Sequence, residues 1–177
     1  MRPRALAVIL WGVGGVVLLL TEAIVRLASL AAGLLRARAL TPAELLALAA
    51  WTVVIVYAEG YRGFQRRFSP RVVARALHLA AHPRPHLIAL APLLCMGLLH
   101  ATRRLLIVSW SLLAGILALI LLVRLLPPVY RAIIDIGVAL ALTWGTASIL
   151  VFLARALTGK PLPVPPETPP TESTLPT

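Results

Sequence analysis

Lysine is almost missing from this chain and acid is scarce. Lys160 stands alone beside sixteen arginines, and 177 residues hold only six acidic side chains. Charged residues make up 13% of the sequence, where a soluble domain carries about a quarter. Cysteine occurs once, as Cys95, which excludes an intrachain disulfide framework. The signatures of common catalysts are missing too: there is no G-x-S-x-G elbow, no H-E-x-x-H helix and no P-loop lysine motif. Six scattered acids supply no clustered carboxylates for acid–base work, so the chain reads as non-enzymatic, with no catalytic residue and no cofactor assigned. No basic groove with interleaved stacking aromatics is present, which argues against a nucleic-acid partner despite the net charge of +11.

Apolar residues are abundant instead, at 60% of the chain with a mean hydropathy of +0.93. That excludes a water-soluble globule and excludes disorder over most of the length. The fold class that remains is all-α: a polytopic transmembrane helical bundle carrying a basic amphipathic helix at the membrane interface. About 20 apolar residues span the ~30 Å hydrocarbon core. The transmembrane domain is read over residues 1–157, with spans at about 6–33, 43–61, 105–124 and 131–154. Residues 158–177 hold seven prolines without apolar periodicity and read as a disordered tail.

The N-terminus, Met1-Arg2-Pro3-Arg4, precedes the uncharged run Ala5–Thr21, longer than the apolar stretch of a cleaved signal peptide. An uncleaved signal anchor is expected. Thr41-Pro42-Ala43-Glu44 reads as a capping box at the start of the second span. Ser69-Pro70 reads as a second helix start. From there Arg71, Arg75, His78 and His82 follow one helical face, which predicts a surface-lying helix over 70–81. His82-Pro83-Arg84-Pro85-His86 stops it.

Residues 87–102 are the ambiguous segment, apolar all round but short and interrupted by Pro92. If they span, the bundle has five helices; if they form a re-entrant or interfacial helix, it has four. Four spans with both termini inside put twelve basic residues on the inner side and four outside, whereas five put ten and six. The charge rule therefore favours four, in a bacterial cytoplasmic (inner) membrane with the N-terminus cytoplasmic.

Three sets of residues stand out. Glu22, Arg26, Arg124, Arg131 and Asp135 are ionisable groups in or beside the spans, and the four-span topology brings them to similar depth. Glu22 and Arg26, one turn apart, are expected to pair. Glu59, Arg62, Arg66, Arg67, Arg71 and Arg75 form a membrane-surface set suited to lipid phosphate. Gly12 and Gly15 in the first span, and Gly137, Ala141 and Gly145 in the last, are stripes where helices approach closely. His78, His82, His86 and His100 lack neighbouring Cys or acidic partners, so no metal site is assigned. The expected function is a membrane scaffold, accessory or assembly subunit whose partners are anionic lipid headgroups and another membrane protein or a second copy. A small oligomeric transporter or channel subunit is the alternative, and a lipid-modifying enzyme the third reading.

Overall fold

The computed structural model describes residues 3–37, 39–99 and 103–164. Among these every regular element is helical. Helix α1 covers Pro3–Ala37 and α2 covers Pro42–Ile55. The capping box is formed at the start of α2: the Thr41 amide donates to Glu44 Oε2 at 2.8 Å and the Glu44 amide to Thr41 Oγ1 at 3.3 Å.

Helix α2 does not end near residue 61. It widens into a π-helix over Val56–Phe68 and runs on as α3, Ser69–Ala81. The sequence reading divides this stretch into a span and a separate surface helix, but the chain is one rod of 40 residues, about 60 Å long. The reason lies at Ser69-Pro70. Ser69 keeps helical backbone angles and its amide donates to the Phe64 carbonyl, five residues back. Pro70 has no N–H, so the return from π to α winding at this point sacrifices no donor. Ser69 does not cap; its hydroxyl donates to the Gly145 carbonyl at 3.3 Å.

Two one-turn helices follow, α4 (Pro85–Ala89) and α5 (Ala91–Cys95). Then come α6 (Arg103–Val123) and α7 (Pro128–Leu157). Three stretches are long and apolar enough to cross a membrane: Pro3–Gly33, Pro42–Ala81 and Pro128–Leu157.

Contacts fix the directions. Trp51 meets Gly137, Gly60 meets Trp144 and Phe64 meets Gly145, so the long rod runs parallel to α7. Only residues 38–41 separate α1 from α2, so α1 ends where α7 begins and runs antiparallel to it. Helix α7 is the centre of the bundle, with α1 along one side and the rod along another. The core sits towards the N-terminal end of α1: Ile9, Val13 and Val16 pack with Val72, Val73, Ala76, Cys95 and Ile149.

Helix α3 thus differs from the expected surface helix. Val72, Val73, Ala76 and Leu79 are buried, and so is Arg75 at 4% exposure. Its apolar face has α1 and α7 to cover it, which a helix lying on lipid headgroups would lack. Helix α6 is the opposite case. It leads from α5 to the start of α7, and so runs the way α1 does. No helix among the described residues packs against it to any extent.

The tail expected over 158–177 begins with an ordered stop. Gly159 has φ +77°, with Lys160 N–H bonded to Arg155 and Gly159 N–H to Ala156, a Schellman ending for α7. Leu162 folds back against the core. Residues 165–177 lie outside the described residues.

The helix contacts separate glycines by role. A Cβ at Gly145 would run into the Phe64 ring, whereas one at Gly14 would meet nothing within 4 Å. Gly145→Val should therefore destabilise the bundle by about 1–3 kcal/mol through overpacking. Gly14→Ala should leave stability unchanged or raise it by about 0.5–1 kcal/mol, since alanine is the better helix former. Thermal unfolding in neutral detergent measures both, and a Gly145→Val protein melting with the parent would contradict the α7–rod packing.

Candidate functional site

Two features concentrate the polar chemistry. The first is a clamp where α5 docks. Pro92 has no N–H to give to the Ile88 carbonyl four residues back, so the helix breaks between Ala89 and Ala91. The Trp11 indole of α1 takes up that carbonyl, with Nε1 donating to Ile88 at 3.0 Å. The Pro92 ring fills the space over Gly15, where a Cβ would clash, and Cys95 Sγ sits 3.0 Å from where a Cβ on Gly12 would stand. The glycines of α1 thus receive a broken segment of two short helices, not a long helix.

Arg75 locks this segment from the other side. Its guanidinium Nη1 donates to the Cys95 carbonyl at 3.0 Å. Gly97 closes the turn at φ +80° in a Schellman arrangement, with Leu98 N–H bonded to Leu93 and Gly97 N–H to Leu94. A Cβ on Gly97 would stand 2.6 Å from Arg75 Nη1, so the turn needs glycine for its backbone angle and for space. Arg75, expected against lipid phosphate, is a buried fastener.

The second feature is the exposed basic face of the π-helix. Bonding from i to i+5 gives about 4.4 residues per turn, roughly 82° per residue. At that pitch Gly60, Phe64, Gln65 and Ser69 come to one side. That side faces α7: Gly60 lies on Trp144, Gln65 Oε1 accepts from Trp144 Nε1 at 2.7 Å, and Ser69 bonds to Gly145. Arg62, Arg66 and Arg67 gather on the other side, Arg66 about 32° one way from Arg62 and Arg67 about 50° the other. In an α-helix Arg67 would stand about 140° from Arg62. The three arginines line a cleft of about 290 Å³. None of them forms an ion pair with a described residue, and Arg66 stacks at 5.9 Å over the Tyr61 ring. Glu59 is exposed with its carboxylate beside Gly63 and pairs with none of them. Arg71 is half-buried below the cleft.

The intramembrane charge set is only partly assembled. Arg131 Nε lies 3.7 Å from Asp135 Oδ2, and Asp135 is buried in α7. Glu22, Arg26 and Arg124 are exposed and join no ion pair among the described residues. The expected Glu22–Arg26 pairing is not made within 4 Å. Exposure explains it, because two long side chains in open surroundings gain little from being held together. Of the small-residue stripe in α7, Gly137 lies on Trp51 and Ile55, Ala141 is buried and Gly145 carries Phe64. His78 and His82 stack at 4.8 Å, and His100 lies outside the described residues. Among the described residues no three His, Cys, Asp or Glu side chains are grouped to hold a metal ion.

No protein-family model matches the chain, and no curated protein or solved structure is significantly similar to it. The site therefore rests on geometry alone.

Sequence reasoning passed over Trp11, Gln65, Gly97 and Trp144. A signal for Trp11 existed: a proline in an apolar helix frees a carbonyl, and a nearby indole is a natural donor. The contact between Gln65 and Trp144 depends on π winding and has no signal in α-helical spacing.

Cys95 is fully buried beneath Arg75 and is the single cysteine, so it reports on the clamp. In the intact protein a maleimide should label it slowly. Arg75→Met strands the Cys95 carbonyl at a cost of about 1–3 kcal/mol and should raise the labelling rate roughly tenfold or more. Gly97→Ala should act the same way, through about 1–2 kcal/mol of left-handed backbone strain plus the clash with Arg75. Equal labelling rates in parent and Arg75→Met would show that the clamp does not hold α5.

Proposed function

We propose that this chain is a non-enzymatic subunit of a membrane complex, a scaffold or accessory protein that presents α6 to another membrane protein or a second copy of itself. The observation that carries this reading is the isolation of α6. Ile107, Trp110, Leu117, Leu121 and Leu122 are each more than half exposed on a helix of 21 residues. Its length, roughly 31 Å, suits a full crossing. The other long helices pack on α7, while α6 has no packing of that extent among the described residues. In a bilayer, lipid tails are as apolar as leucine, so apolarity alone does not drive α6 onto its own bundle and it stays available.

The reading includes a topology. Helices α1 and α6 run one way, the rod and α7 the other, giving four passes with residues 85–98 as a re-entrant segment. By the arginine count both termini are cytoplasmic, in a bacterial inner membrane. A second reading, a small transporter or channel subunit working as an oligomer, draws on Asp135. It is buried in α7, and its Oδ2 has no hydrogen bond despite the nearby Arg131. A buried carboxylate incompletely satisfied inside a membrane helix is a feature of ion pathways.

Photo-crosslinking residues placed at Trp110, Leu117 and Leu121 in native membranes test the docking reading. Leu46, exposed on α2, serves as control. Discrete protein adducts from the α6 positions and none from position 46 are expected. Adducts with lipid alone at all three α6 positions would overturn it. Asp135→Asn should leave the α6 adducts intact, because it lies on a different helix; their loss would couple the two sites and favour the transporter reading.

A further inference from the structure

We propose that Arg62, Arg66 and Arg67 form a binding site for a phosphate-bearing anion, supplied as the headgroup of an anionic phospholipid or as free phosphate. The site is independent of α6 and of any partner docked there.

Four observations converge. The first is the winding. The π stretch gathers three guanidinium groups within about 82° of arc, where α winding would spread them over about 140°. Because the same winding brings Gly60, Gln65 and Ser69 against α7, packing holds the arginines in place from behind. The second is charge. Three like charges share one cleft and no carboxylate among the described residues joins them, although Glu59 is three residues from Arg62. Such a group repels itself, and an anion bound among the three relieves each repulsion at once. The third is shape. The cleft, of about 290 Å³, opens on the side away from α7 and is lined by these arginines. The planar donor fork of arginine matches phosphate oxygens two at a time.

The fourth is the surroundings. Tyr57 stacks on Tyr61 at 5.9 Å, Tyr61 lies under Arg66, and the Trp144 indole is bonded to Gln65. Tyr57 and Trp144 are both exposed. Tyrosine and tryptophan rings with polar tips beside arginines are the side chains that anchor at lipid headgroups. Here they stand level with Trp144, about 20 Å from the C-terminal end of α7, where a lipid reaches them from the flank of the bundle. This arrangement suits a lipid headgroup entering from the side, and its phosphate chemistry is shared by the free ion.

The full chain in neutral detergent provides the test, with lipid binding read by native mass spectrometry. Phosphatidylglycerol should bind at least roughly tenfold more tightly than phosphatidylcholine, given three arginines at one anion. Arg62→Gln/Arg66→Gln/Arg67→Gln should erase that preference. Arg4→Gln/Arg124→Gln/Arg155→Gln removes as much charge from exposed positions elsewhere and should keep it. Arg67→Gln alone should weaken the preference several-fold, which keeps the test alive if the triple variant does not fold. Replacement of all three by lysine should recover only part of it, since lysine lacks the fork. Displacement of the bound lipid by millimolar inorganic phosphate would identify the site as one that takes free phosphate. Retention against phosphate would identify the lipid headgroup as its ligand. Equal binding of the two lipids without phosphate binding, or equal loss of preference in the control variant, would overturn the proposal.

Discussion

The i to i+5 winding of residues 56–68 is the constraint on which the bundle's arrangement turns. A rod wound as α-helix throughout cannot put both Gly60 and Ser69 against α7, since nine residues at 100° leave them on opposite sides. At about 82° per residue they come within roughly 20° of each other. The contacts of Gly60 with Trp144, Phe64 with Gly145 and Ser69 with the Gly145 carbonyl then all become compatible. The same rotation sets how α3 enters the core. Val72, Val73 and Ala76 reach α1 and α7 because the turns before them are wide. One local change of winding therefore controls the docking of the rod, the grouping of Arg62, Arg66 and Arg67, and the burial of Arg75.

Around this rod the bundle is uneven. The half holding the first turns of α1, α3, α5 and the last turns of α7 has a closed core of small and branched side chains. The other half is built from single close approaches, such as Trp51 over Gly137 with its indole bonded to the Ile134 carbonyl at 3.4 Å. Glycine against an aromatic ring gives dispersion contact and little else, which suits a setting without a hydrophobic drive between helices. The open face of α1 above α5, with Glu22, Arg26 and Ser29, belongs to this sparser half. Ser29 turns inward to its own helix and donates to the Arg26 carbonyl at 3.0 Å.

Helical class, the apolar stretches and the start of α2 were legible in the sequence because each rests on neighbouring residues. Thr41, Pro42 and Glu44 carry their structure in their spacing. The proline break at Pro83-Arg84-Pro85 was legible for the same reason, whereas the single helix expected over 87–102 is divided at Pro92 into α4 and α5. The burial of α3 was not. Reading residues at 100° each assigns Arg71, Arg75, His78 and His82 to one basic face, and such a face looks like a membrane-surface helix. What decides the matter is a carbonyl at Cys95, twenty residues on, and a winding that α-helical periodicity does not contain. The isolation of α6 was equally hidden. Its sequence is that of any apolar helix, and whether neighbours cover it depends on the whole bundle. Of the candidate sites, the arginines of 62–67 were visible as a charge run, while their convergence needed the winding.

The central position of α7 bears on how the molecule is assembled. Helices α2 and the π stretch lean on α7, and among the described residues α1 meets the long rod chiefly through α3. Yet α7 follows every other helix in the chain. During synthesis the earlier segments enter the bilayer with Gly137, Gly145 and Trp144 still to come, so most of their contacts have no counterpart. The contacts among α1, α3 and the α4–α5 segment can form beforehand, with Trp11 bonded to the Ile88 carbonyl and Arg75 to the Cys95 carbonyl. Before α7 is made, the contacts open to the chain are those of this small clasp, while α2 and the π stretch lack the helix they lean on. The bundle is complete only with α7 between α1 and the rod.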